Sequence, residues 1–251
     1  MNVTSYLKRI NYDGFKFPDY KSLQDLQIHH LLTVPFENLS IHNKEPIVLE
    51  EDLLFKKIVV RRRGGFCYEL NGLFAALLRD LGYNVSMLSA GVMNDKGEFG
   101  PDFDHMTLMV LLEDKWLVDV GFGDSFRQPL LIENRDEQSQ GDRSYQIIEE
   151  GNYLVLKEKT IDKDWRSQYR FTLNPCKLDD YIVMCNYHQT SPESNFTQRK
   201  ICSVAKPDGR VTLSNMRLIV TKGIDRQERV LSDESEYKTV LKKEFGITIR
   251  N

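Results

Sequence analysis

No stretch of about 18 apolar residues occurs in this 251-residue chain, so no membrane-spanning helix is predicted. The opening MNVTSYLKRINYDG lacks the apolar centre of a secretory signal, and a cytoplasmic protein is expected. An excess of either charge is lacking as well. With 34 basic and 37 acidic residues the net charge is -3, which argues against a surface built for nucleic acid. The four cysteines, Cys67, Cys176, Cys185 and Cys202, are far apart and include no Cys-x-x-Cys. Neither a zinc knuckle nor a disulfide framework is suggested, and free thiols are expected. The five histidines form no His-x-x-x-His pair beside an acid, so no metal site is predicted.

What the chain does have is a change of period. As far as Gly82 it reads as helical. Ser22 is a predicted N-cap with Asp25 three residues on, Leu23, Leu26 and His30 share a face, and Pro35 ends the segment. A second helix is predicted from about Glu50 to Val59, with its acids first and its lysines last. The third is the best defined. Leu70, Leu73, Phe74, Leu77, Leu78 and Leu81 follow helical spacing, Gly82 supplies a stop, and Cys67 falls at the first turn.

Beyond Gly82 the period becomes that of strands, at 84–92, 106–112 and 115–120, with a turn at Glu113 and Asp114. RSYQIIEE and NYLVLKEK read as a further hairpin and YRFTL as another strand, while 133–144 reads as a mobile surface loop. In the last section Ser191 is a predicted cap with Pro192 at the first helical position, followed by a hairpin around KPDGR and a helix from about Ser232 to Phe245. The pattern is α+β, with boundaries expected at 1–83 (helical), 84–185 (an antiparallel sheet or barrel) and 186–251 (α/β).

A thiol at a helix N-terminus feels the positive end of the macrodipole, which favours thiolate, and the Cys67 N–H is placed to donate to a developing oxyanion. The alternative is a small buried hydrophobe. His105 begins one apolar strand and Asp119 lies near the end of the next, where a lone acid is costly unless paired. An imidazole is its natural partner. A two-residue turn at Glu113-Asp114 would put these two side chains on opposite faces of the hairpin. Their meeting therefore requires an odd loop, a bulge, or His105 just off the ladder. His29, His30 and His42 read as solvent-facing or helix-end residues, His188 as a loop residue near a ligand, and Asp102 and Asp104 as parts of a solvated turn.

The segments YLKRINY, VPFENLSIH (34–42), RGGFCYELN (63–71), HMTLMV (105–110), LVDVGFG (117–123) and QTSPESNF (189–196), in this order, make the chain resemble the arylamine N-acetyltransferase family. The resemblance implies a papain-like Cys-His-Asp fold with an N-terminal helical domain, a central antiparallel β-barrel and a C-terminal α/β lid. It makes Cys67 the acetyl-accepting nucleophile, His105 the base and Asp119 its orienting acid. Acetyl-CoA would be the co-substrate, with an arylamine, hydrazine or N-hydroxyarylamine as acceptor and no metal. It also pairs Arg63 with Glu37 inside the fold, so that Gly64 and Gly65 give Cys67 its tight entry.

Phe36, Phe66 and Phe122 are expected to line an apolar cleft, with core packing as the alternative for each. For CoA the sequence offers no phosphate loop. RRRGGF also misses the Arg-x-x-Gly-x-Gly/Ala pattern of the other large acetyltransferase superfamily at Phe66. Gly121, Gly123, Ser125, Thr190 and Ser191 are the expected contacts, with Arg127 as either a phosphate partner or an exposed charge. Two other readings stay open: a cysteine amidase, protease or transglutaminase-like enzyme, and a non-catalytic relative that binds CoA or an aromatic ligand.

Overall fold

The computed structural model describes residues 1–161 and 163–249. Among these no helix is long and apolar enough to cross a membrane. The chain opens with α1 (Val3–Arg9) and α2 (Tyr20–Thr33), then runs through β1 (Phe36–Glu37), α3 (Leu39–His42), α4 (Glu51–Phe55) and α5 (Cys67–Asp80). Asp19, and not Ser22, caps α2: its side chain accepts the Ser22 N–H at 2.7 Å, so Ser22 stands at the third helical position. The predicted second helix is split, because after Phe55 it widens into a π-turn over Lys56–Val60. His30 is fully buried against Tyr6, whose hydroxyl lies 3.0 Å from its Nδ1, and burial pushes this imidazole down to about 3.

α5 begins at the cysteine, and Leu70, Leu73, Phe74, Leu77 and Leu78 are all fully buried in the main core. Its floor is the sheet formed by β2 (Asn84–Val92), β3 (His105–Leu111), β4 (Lys115–Val118), β5 (Leu130–Leu131), β6 (Gln138–Gln140), β7 (Arg143–Glu150), β8 (Tyr153–Thr160) and β9 (Arg166–Cys176). All eight strands are antiparallel, in the order β5-β4-β3-β2-β9-β8-β7-β6. Both faces are covered. Met106, Leu108 and Val110 pack towards the helices, while Leu88, Leu117, Tyr145, Ile147, Leu156 and Tyr169 fill the inside of the curl.

The barrel is nearly closed, and side-chain amides span the remaining gap. Gln138 accepts from the Leu131 N–H at 2.8 Å and donates to its carbonyl at 3.1 Å, while Gln140 does the same for Gln128 at 3.1 and 2.8 Å. The segment 133–144 is therefore not simply a mobile loop, since Gln138–Gln140 is an edge strand on β7.

After β9 come a 3-10 turn (Leu178–Tyr181), α6 (Ile182–Thr190), α7 (Asn195–Gln198), then β10 (Ile201–Lys206), β11 (Gly209–Ser214), β12 (Arg217–Lys222), β13 (Asp225–Val230) and α8 (Glu234–Phe245). Ser191 is the C-cap of α6, and Ser194 caps α7 by accepting from the Phe196 N–H at 3.3 Å. The second sheet, β1-β10-β11-β12-β13, recruits Phe36 and Glu37 from the N-terminal section opposite Ser203 and Cys202. Asn38 fastens this junction: its amide donates to the carbonyls of Phe196 and Arg199, and its oxygen accepts from the Ile201 N–H. Tyr237, Val240, Leu241 and Phe245 of α8 cover the sheet, and Gly246 ends that helix in the left-handed conformation.

Candidate active site

The turn into α5 is held from below by charge. Arg63 Nε donates to Glu37 Oε1 at 2.9 Å and Nη2 to Oε2 at 3.1 Å, while the Leu39 N–H donates to Oε2 at 2.7 Å. Burial raises the Glu37 carboxyl, but Lys57, Arg63 and the Leu39 N–H together hold it below the usual range. Gly64 has to be glycine because a Cβ there would stand 1.9 Å from the Pro35 carbonyl oxygen. Glu69 then reaches back to the Phe66 N–H at 3.2 Å and takes Lys57 at 2.7 Å, which fixes the first turn of the helix.

The β3–β4 connection decides whether His105 and Asp119 can meet. Leu111 pairs with Lys115 and Leu108 with Val118, so the loop is Leu112-Glu113-Asp114, three residues and not two. This odd loop meets the condition set by the sequence. His105, Thr107 and Asp119 share the inner face of the barrel, and His105 Nε2 lies 2.7 Å from Asp119 Oδ2.

Asp119 is buried and fully engaged. Its Oδ1 accepts from Asn71 Nδ2 at 2.9 Å and from the Gly121 N–H at 2.8 Å, and its Oδ2 also accepts from the Tyr169 hydroxyl at 3.2 Å. Burial raises this carboxyl, but the His105 charge and the hydrogen bonds from His105, Asn71 and Gly121 outweigh it, leaving it below the ordinary carboxylate range. Asn71 does a second job by donating to the Met106 carbonyl at 2.6 Å and accepting from the Val120 N–H at 2.9 Å. One amide thereby locks α5, β3 and the turn after β4 together. The sequence reading did not single out Asn71, although a polar residue one turn beyond Cys67, just ahead of the helix's apolar run, was the available signal.

Cys67 and His105 line one cavity of roughly 360 Å³ with Phe36, Val92, Met93, Asp104, Gly121, Phe122, His188 and Phe196. Gly121 packs directly on the cysteine: a Cβ there would fall 2.8 Å from Cys67 Cα. Burial pushes the Cys67 thiol well up, with the Met106 N–H opposing and Asp104 and Asp119 adding to the rise. Burial thus opposes the thiolate-favouring effect expected from the helix end.

Of the three expected aromatics, Phe36 and Phe122 line the cavity, and Phe122 meets His105 edge-on at 5.3 Å. Phe66 does not. It is fully buried behind, edge-on to Tyr68 and Phe196, so core packing describes it. Phe196 of α7 is the third wall, 6.1 Å from Phe36.

Among the expected CoA contacts only Gly121 lines the cavity, and its N–H is committed to Asp119. Ser125 donates to Gln168 at 2.5 Å, Thr190 donates to the Asn186 carbonyl at 2.8 Å, Ser191 accepts from the Glu193 N–H at 3.2 Å, and Gly123 packs under the Phe36 ring in the left-handed conformation. Arg127 binds the carbonyls of Lys206, Pro207 and Gly209, so it ties the barrel to the second sheet and is neither a free phosphate partner nor a bare exposed charge. Asp104 is no solvated-turn residue, since it accepts from the Val92 N–H and faces the cavity. Asp102 is exposed, near the Tyr153 hydroxyl. His188 stands on α6 and not in a loop.

A helix that presents a cysteine to an imidazole–carboxylate pair at the mouth of an antiparallel barrel defines the papain-like Cys-His-Asp fold. A family model described as N-acetyltransferase matches residues 19–251. The chain is 36% identical to the arylamine N-acetyltransferase pineal gland isozyme NAT-3 of Gallus gallus, over 99% of this chain and 95% of that one. To the arylamine N-acetyltransferase of Escherichia coli K12 it is 32% identical, over 98% and 89%. The structure of the Mycobacterium marinum arylamine N-acetyltransferase in complex with CoA superposes with a TM-score of 0.91 at 31% identity, over 98% and 93%. The chain belongs to the arylamine N-acetyltransferase family.

Proposed function

We propose that this chain moves an acetyl group from acetyl-CoA to the nitrogen of an arylamine, arylhydrazine or N-hydroxyarylamine through a thioester on Cys67. The observation that carries the assignment of roles is the 2.7 Å contact between His105 Nε2 and Asp119 Oδ2. An ionised carboxylate only accepts, so Nε2 bears the hydrogen and Nδ1 keeps its lone pair for the thiol.

Because burial holds the Cys67 proton on sulfur, the thiolate forms as His105 Nδ1 takes that proton, giving a thiolate–imidazolium pair inside the cavity. Asp119, kept ionised by its four donors, steadies the imidazolium. Sulfur attacks the thioester carbonyl, the CoA sulfur leaves and takes the proton from His105, and the acetyl group rests on Cys67. The amine then attacks that carbonyl, gives its surplus proton to His105, and the Cys67 thiolate leaves and is reprotonated. Exchange of sulfur for sulfur is close to even, so no metal is required. The walls formed by Phe36, Phe122 and Phe196 favour an aromatic acceptor over water. Four free cysteines fit a reducing, cytoplasmic setting.

The test is the intact mass of the acid-quenched protein after brief mixing with acetyl-CoA, with Cys67→Ala as control. A gain of about 42 Da on the wild type alone is expected. No gain with CoA bound would point to a ligand-binding relative, and no gain with none bound to an amidase.

A further inference from the structure

The cavity that holds Cys67 contains a second acid–imidazole pair which the transfer just described leaves unused. His188 is buried on α6, with Nδ1 3.1 Å from Ser194 Oγ and its ring edge-on to Phe196. Its Nε2 stands 3.2 Å from Asp104 Oδ1 but out of line for a hydrogen bond, so this buried nitrogen has no hydrogen-bond partner. The other oxygen of Asp104 accepts from the Val92 N–H at 3.2 Å, which fixes the carboxylate in the wall. Glu193 lines the same cavity, and among the described residues no lysine or arginine does. An unpartnered ring nitrogen and two acids, with no lysine or arginine to balance them, form a site for a neutral group that donates hydrogen bonds.

We propose that Asp104 and His188 are the polar end of the acceptor subsite, selecting aromatic amines that carry an N–H donor, such as an amide or hydrazide, and rejecting those that carry a carboxylate. The inference rests on the reading of this cavity as the acceptor site. An amide N–H would satisfy Asp104 or the idle His188 nitrogen. A carboxylate would meet a like charge, and at about 8 Å and an effective dielectric constant of about 20 that repulsion is worth roughly thirtyfold in affinity. After burial, Asp104 is also one of the groups that push the Cys67 thiol up, so its field reaches the reacting centre. The pantetheine arm of CoA is uncharged and is not opposed by it.

4-Aminobenzamide and 4-aminobenzoate have nearly the same shape and differ in charge, so they make the test. Each is titrated into wild type, Asp104→Asn and His188→Gln without acetyl-CoA, and kcat/KM for each is then measured with it. The wild type is expected to bind the amide at least tenfold more tightly. Asp104→Asn should shrink that ratio to within about threefold through a gain in benzoate, and His188→Gln should weaken the amide several-fold while benzoate stays rejected.

A wild type that takes both equally, or variants that weaken both ligands alike, overturns the proposal. Direct titration reads the subsite whether or not Cys67 becomes acetylated, so a failure of the transfer reading is told apart by the 42 Da experiment. Should Asp104→Asn not fold, exposed Glu193→Gln and buried His188→Gln still measure the amide-to-benzoate ratio, and an unchanged ratio in both refutes the assignment.

Discussion

Replacing Arg63 by Met strips the two guanidinium hydrogen bonds from a carboxylate that has no exposed surface, and the cost is set by what Glu37 does next. In the wild type the net effect of its surroundings is to hold Glu37 ionised. With Arg63 gone, the Leu39 N–H and the charge of Lys57 remain, but Lys57 is already hydrogen-bonded to Glu69. The cheapest escape is for Glu37 to take up a proton. At about 1.36 kcal/mol per pH unit, protonating a carboxyl of ordinary pKa near 4.3 costs about 3.7 kcal/mol at pH 7 and about 1 kcal/mol at pH 5.

The variant should therefore lose about 3–4 kcal/mol at pH 7, in line with other broken buried pairs. The loss should shrink as the pH falls. The sign follows from proton counting: folded Arg63→Met holds one proton more than its unfolded chain above pH 4.3, so its stability declines as pH rises, while the wild type stays flat there. Urea unfolding at pH 5, 6 and 7 measures this. A penalty that is the same at all three values would mean that Lys57 alone keeps Glu37 charged, and one below about 1 kcal/mol at pH 7 would mean that the pair does not anchor the turn.

Gly121→Ala puts a Cβ 2.8 Å from Cys67 Cα, and a shift of about 1 Å at a nucleophile is worth roughly a hundredfold in rate, so acetyl loading should slow by that order while the chain still folds. Normal loading would show that the cysteine tolerates displacement. His105→Gln removes the group proposed to accept the Cys67 proton, and since burial pushes that thiol up, alkylation by iodoacetamide at pH 7 should fall at least tenfold and recover only in alkali. Equal rates in the two proteins would rule out the shared proton. Asp119, with its carboxyl below the ordinary range, stabilises the fold above its unfolded pKa of about 3.9, and this contribution is lost as pH falls through the folded value. Asp119→Asn should lose less stability than wild type between pH 5 and pH 3 in urea titrations, and parallel curves would contradict that.

The sequence was most legible where one element decides the outcome. The leucine spacing of α5, the glycine that stops it and the cysteine that begins it are local features, and the structure repeats them. Helix caps were read three residues away from their true places, one late and one early, for a local reason too. Ser22 and Ser191 are good capping residues, but Asp19 and Ser194 are the ones whose oxygens reach the first free N–H groups, and several capping types stand close together in both stretches. The unreadable features are contacts made by neutral amides to backbone groups of other elements. Asn71, Asn38, Gln138 and Gln140 each stand in for backbone groups that a strand or turn lacks, and composition alone made 133–144 read as loop. The strand β13 was missed because DRQERV carries every side chain exposed and offers no apolar alternation, whereas β12 was missed although its Leu-Ile-Val run was a readable strand signal.

Cys67 shows how a correct local argument yields an incomplete chemical one. Its position at the head of α5 favours thiolate, and that effect belongs to the helix wherever it sits. In place, the helix end is buried at the wall of the cavity, where Asp104 and Asp119 add their charge to the desolvation of the sulfur. Both raise the thiol, so a free thiolate is disfavoured, whereas a thiolate beside an imidazolium carries no net charge into the cavity. On the proposed mechanism, the His105–Asp119 contact that the three-residue loop makes possible is what would let an imidazolium stand beside that sulfur. A chain with the same helix and a two-residue β3–β4 turn would turn Asp119 to the opposite face from His105 and leave that imidazole without its carboxylate.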